Sequence, residues 1–70
     1  MREFNYKVIK DLGVISESGD YVKKVCLISF NDRNPKIDIR SWKGDQMCKG
    51  IPLSHEEAAV LRDILQSLEL

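Results

Sequence analysis

The sequence predicts an α+β fold, four strands followed by one C-terminal helix (β-β-β-β-α), as a single domain over residues 1–70. Three observations carry this. Apolar and polar residues alternate through most of the first fifty positions, turn-forming clusters interrupt the alternation three times, and from Ser54 onward the apolar spacing changes to steps of three and four.

The first strand opens on Phe4-Asn5-Tyr6-Lys7-Val8, slips at Ile9, resumes through Leu12 and Val14, and carries Gly13 inside the pattern. That is one long strand with a bulge, or two pieces joined at a bend. Ser16 to Asp20 is turn-forming, and Tyr21 to Phe30 is rich in β-branched and aromatic residues, which makes a hairpin. Asn31-Asp32-Arg33-Asn34-Pro35 turns the chain again before the strictly alternating Lys36-Ile37-Asp38-Ile39-Arg40-Ser41-Trp42. After Lys43-Gly44-Asp45, Met47 to Leu53 is short and mixed, with Gly50 and Pro52, and reads as a short edge strand. Ser54 and Glu57 fit a capping box, acids fill the first turn, and Ala58, Leu61, Ile64, Leu65 and Leu68 make one amphipathic helix to the C-terminus.

At 43% hydrophobic and 31% charged, the composition is that of an ordinary globular chain. A domain of this size buries only roughly 60% of the surface its unfolded chain exposes, so its core is thin and outside stabilisation is needed. Cys26 and Cys48 stand outside any metal-binding spacing and His55 is the sole histidine, so no metal or cofactor is expected. Oligomerisation remains. No stretch approaches the ~20 apolar residues of a membrane span. Met1-Arg2-Glu3-Phe4-Asn5 also lacks the order of a signal peptide, so a cytoplasmic location is expected.

Eleven basic residues balance eleven acidic ones, but unevenly along the chain. Tyr21 to Gly50 holds seven basic residues against three acids, whereas Ile51 to Leu70 holds one against four. One face can therefore be basic and another acidic. A single helix covers one face of a four-stranded sheet, leaving the other for water, a partner or a ligand. Alternation puts Val25, Leu27, Ile37 and Ile39 on one face. If that aliphatic set faces the helix, the open face carries Phe30 and Trp42 among Lys24, Lys36 and Arg40, with Asp38 beside Arg40 as a local ion pair. Aromatic rings among cations suit single-stranded nucleic acid, whose bases stack while Lys and Arg track the phosphates. A duplex reader would instead need an element fitted to a groove, and the one helix here begins acidic.

The run Lys36-Ile37-Asp38-Ile39-Arg40-Ser41-Trp42, followed by Lys49-Gly50-Ile51-Pro52-Leu53-Ser54 and the acid-capped helix, resembles the positive cofactor four family of transcriptional coactivators. It is most similar to the bacterial YdbC-type branch, which also matches in Leu12-Gly13-Val14 and in Leu27-Ile28-Ser29 followed by an aromatic and Asn. The resemblance covers essentially the whole chain. It implies a homodimer with a curved antiparallel sheet that binds single-stranded DNA without strong sequence preference, in transcription regulation or DNA maintenance, associated with the nucleoid. Carried over by position, Phe30 and Trp42 would stack bases, and Arg40 and Lys49 would pair with phosphates. Lys7, Lys24 and Lys36 join them by the alternation argument. Leu61, Ile64, Leu65 and Leu68 would form the dimer interface. Trp42 follows Arg40 by two residues, where eukaryotic members have a longer spacing, and no Ser/acid/Lys-rich tail is present, which leaves coactivator regulation out of the expectation.

No nucleophile–base pair, phosphate loop or triad is present, so a non-catalytic protein without a small-molecule substrate is expected. Two other readings use the same face: a protein-interaction module, which would respond little to salt, and a single-stranded RNA binder.

Overall fold

The computed structural model describes residues 5–68 and Leu70; Phe4, where the alternation begins, lies outside them. Four strands, β1 (Tyr6–Ser18), β2 (Tyr21–Phe30), β3 (Lys36–Lys43) and β4 (Gln46–Leu53), pair antiparallel in sequence order and are followed by helix α1 (His55–Gln66). The predicted α+β architecture is the one the chain adopts.

Two-residue turns join β1 to β2 and β3 to β4, with Gly19 and Gly44 taking the positive φ of 58° and 59° that such turns require. Between β2 and β3 the chain reverses through Asn31 and Asp32, both at positive φ, and Arg33 N–H donates to the Phe30 carbonyl at 3.0 Å. Asn and Asp tolerate that conformation better than other side chains. Asn31 is further tied to Asn5, donating its N–H to the Asn5 carbonyl at 2.8 Å and accepting the Asn5 N–H on Oδ1 at 3.1 Å.

Strand β1 is bulged three times against β2, between Val8 and Lys10, Asp11 and Gly13, and Val14 and Ser16. The extra residues are Ile9, Leu12 and Ile15, one every third position. Each bulge bends its strand and raises the local twist, so three in one strand curl the sheet. The size of the effect is measurable. Tyr6 pairs with Phe30 at one end of β2 and Trp42 with Val22 near the other. On a flat sheet those two positions would be roughly 29 Å apart. Their ring centroids are 6.1 Å apart.

The curl decides where the core lies. Cys26, Ile28, Trp42 and the carboxylate residue Asp38 are buried, and all four stand on the face turned away from α1, with Phe30 and Met47 packed around them. Burial, with Asp11 and Asp38 nearby, pushes the Cys26 thiol up from its ordinary pKa, so it stays protonated and unreactive at neutral pH. The opposite face carries Val25, Ile37, Ile39 and Leu53, as period two predicts, with α1 lying over β3 and β4. No residue of α1 is fully buried. Its start is well made: Ser54 accepts from Glu57 N–H at 3.0 Å, and Glu57 Oε1 accepts from Ser54 N–H at 2.8 Å. Those Ser54 contacts lower the Glu57 pKa. The helix stops at Gln66, short of the predicted C-terminus, where Ser67 N–H and hydroxyl close the last turn.

β4 is the edge strand expected over Met47 to Leu53, begun one residue earlier at Gln46, and Gly50 is the reason it can lie where it does. A side chain there would sit on Arg40 Cβ and 2.8 Å from Arg40 Cα. Gly50→Ala is therefore expected to push β4 off Arg40 and cost about 1–3 kcal/mol of stability by overpacking, read in a urea melt. An unchanged midpoint would show that the approach is not needed.

Candidate nucleic-acid interface

On the sheet face away from α1, the end of β2, the turn after it and the start of β3 enclose an open cleft of about 290 Å³. Phe30, Asn31, Arg33, Lys36, Arg40 and Pro52 are among its walls. Arg40 is held firmly. Its Nε and Nη2 donate to the two carboxylate oxygens of Asp38 at 2.5 and 2.6 Å, and Nη1 donates to the Cys48 carbonyl at 3.1 Å. The Asp38 side chain is fully buried and that of Arg40 only 10% exposed, so removing either partner strands the other. The guanidinium carbon lies 5.6 Å from the centre of the Phe30 ring, within cation–π range. Arg33 and Lys36 at the rim are exposed, and among the described residues neither has a carboxylate within ion-pair distance.

Of the residues expected to bind nucleic acid, the structure gathers Phe30, Lys36 and Arg40 in this cleft. The others are placed differently. Trp42, expected on an open face, is 6% exposed because the curl brings Tyr6 against it, and Lys24 Nζ lies 5.4 Å from its ring centre. Its Nε1 has no acceptor among the described residues. Lys24 is itself engaged, donating to Asp11 Oδ2 at 3.0 Å. Lys7 pairs with Ser29 and so stands on the helix side, because it is Tyr6 that aligns with Phe30. Lys49 is exposed in the irregularity between the Arg40–Gly50 and Trp42–Met47 pairs, outside the cleft. Asn31, Arg33 and Asn34 carry only a turn signal in the sequence, although a turn rich in amides and a cation next to a strand-end aromatic is itself a pointer to a site. Tyr6 escapes a sequence reading because cross-strand register cannot be read from one strand.

The helix side offers a second feature, an apolar groove of about 480 Å³ between α1 and the sheet. Leu61 and Leu65 line it with Ile15, Val25, Ile37 and Ile39. Ile64 and Leu68, from the same predicted stripe, point outward and are about half exposed.

Over 71 aligned residues the chain is 39% identical to an uncharacterized protein of Treponema pallidum (strain Nichols), covering 97% of this chain and 84% of that one. The chain belongs to that protein's family. No protein-family model matches it. Among the described residues no helix is long and apolar enough to cross a membrane, and no group of metal-ligating side chains is assembled.

Proposed function

We propose that this chain is a non-catalytic single-stranded DNA-binding protein, largely indifferent to sequence, that works as a homodimer in transcription regulation or DNA maintenance. The observation that carries the reading is the cleft: an aromatic wall at Phe30, with Arg33 and Lys36 at its rim and no carboxylate among the described residues within ion-pair distance of either. A ring for the base and exposed cations for the backbone are the two parts that single-strand binding combines, and of these cations Lys36 also acts electrostatically on the Glu57 carboxylate. The resemblance to the positive cofactor four family supports the same reading. Trp42 does not enter it as a stacking surface, since its indole is already packed. Replacing Lys36 with Glu is expected to weaken binding of an oligothymidine and to reduce the salt slope by roughly 0.7 to 1.4, because one phosphate is no longer neutralised and the new carboxylate repels a second. An unchanged slope would remove Lys36 from the interface.

The dimer is supported by surface area. A folded monomer of 8.1 kDa exposes about 4,500 Å² by the usual scaling. This chain exposes 5776 Å². The excess, about 1,300 Å², exceeds the roughly 800 Å² per partner of a standard interface. Ile9, Leu12, Ile15, Ile64 and Leu68, each about half exposed, supply apolar area to cover. Sedimentation equilibrium should return twice the chain mass, and a monomer at all concentrations would contradict the pairing.

A further inference from the structure

The cleft holds about 290 Å³, at the small end of ligand pockets, which is room for one base of a strand. A longer strand therefore continues over the surface beyond it, and register shows what it meets there. Tyr6 stands directly opposite Phe30 in the β1–β2 pairing, on the same face of the sheet but outside the cleft. It is 39% exposed. The first carboxylate along this face of β1 is Asp11, and Lys24 pairs with it at 3.0 Å.

Two sets of contacts hold the Tyr6 ring in place before any strand arrives. Asn5, the residue before it, exchanges two hydrogen bonds with Asn31 in the turn that borders the cleft, at 2.8 and 3.1 Å. The Trp42 ring lies against Tyr6 at 6.1 Å between centroids, with the planes tilted by 57°. An aromatic surface that is already fixed loses little side-chain freedom on binding. The spacing fits as well. Residues directly opposite in an antiparallel pair carry their Cβ atoms about 4.5–5.5 Å apart, against about 3.4 Å per nucleotide along one strand of a duplex. A strand slightly stretched from its duplex spacing therefore lays successive bases on the two rings.

We propose that Tyr6 is a second base-stacking residue, taking the base next to the one on Phe30, so that the strand leaves the cleft across β2 onto β1. The inference rests on the single-strand reading above and adds a residue and a path to it. One side of the ring covers Trp42, and the exposed side is the one that takes the base. Phosphates are left to Arg33 and Lys36 at the rim of the cleft.

The test separates stacking from the covering of Trp42. Tyr6→Leu keeps an apolar cover and removes the ring, whereas Tyr6→Phe keeps the ring. With both variants shown folded by circular dichroism, Tyr6→Leu is expected to bind a labelled oligothymidine roughly five- to a hundredfold more weakly, the worth of one stacked base, with an unchanged salt slope because no phosphate contact is lost. Tyr6→Phe should bind as the wild type does. A second measurement needs no variant: an oligothymidine carrying 5-iododeoxyuridine is irradiated on the wild-type chain, and the crosslinked residues, expected to include Tyr6 as well as Phe30, are read by tandem mass spectrometry. A folded Tyr6→Leu chain with wild-type affinity would overturn the proposal, as would a bound strand that leaves Tyr6 unmodified, the deciding result if Tyr6→Leu does not fold. If the folded wild-type chain binds no single strand, the single-strand reading itself fails and takes this one with it, a result distinct from binding that bypasses Tyr6.

Discussion

Arg40→Ala is expected to lower the stability of the folded chain by about 3–5 kcal/mol, measured by denaturant unfolding. The magnitude comes from what the substitution leaves behind. The Asp38 side chain has no exposure at all, and both of its oxygens are satisfied by the one guanidinium. Without it a carboxylate remains buried beside Cys26 with nothing to neutralise it. For a chain of seventy residues that is a large part of the total stability. Replacing both partners by neutral amides should cost much less, since no charge is stranded. If Arg40→Ala unfolds at the wild-type midpoint, the pair contributes nothing to the fold and the account of Arg40 as a fixed wall of the cleft is wrong.

Trp42→Ala is expected to cost about 3–5 kcal/mol of folding stability, the usual loss when a large aromatic is removed from a core. The indole is one of three buried hydrophobic side chains among the described residues, packed with Cys26 and Ile28 and covered by Tyr6 and Lys24. Trp42→Phe separates packing from stacking. It keeps most of the apolar volume and removes an indole N–H that has no acceptor among the described residues, so the variant should retain both its fold and its affinity for single strands. A folded Trp42→Phe or Trp42→Ala protein with binding weakened by ~1–3 kcal/mol would instead place the indole against a base.

Those two residues show where the sequence is informative and where it stops. Helix α1 is legible from Ser54, Glu57 and the spacing of Ala58, Leu61 and Leu65, because capping and periodicity are local, although the predicted stripe runs on to Leu68, past the helix end at Gln66. The face assignment is legible too: Val25, Ile37 and Ile39 meet the helix side, as strict alternation in β3 requires. Curvature is not. The slip at Ile9 is visible as one bulge, but its repetition at Leu12 and Ile15 is hidden, and three bends together turn an expected open face into the core around Cys26, Ile28 and Trp42. Lys7 is misplaced by alternation for a related reason. Alternation tells which residues of one strand share a face, and only register tells which of them meet Phe30. The cleft itself depends on a turn bringing Asn31 and Arg33 beside Arg40, a meeting of separate segments that no local pattern encodes.

The central claim is that this face binds single strands, and it is tested most directly by fluorescence anisotropy of a labelled oligothymidine at two salt concentrations, with the matching duplex as control. The account predicts binding of the single strand that weakens steeply as salt rises, by roughly 0.7 in log–log slope for each phosphate neutralised, and much weaker binding of the duplex. A folded chain that binds neither at low salt, or binds the duplex equally well, would contradict it.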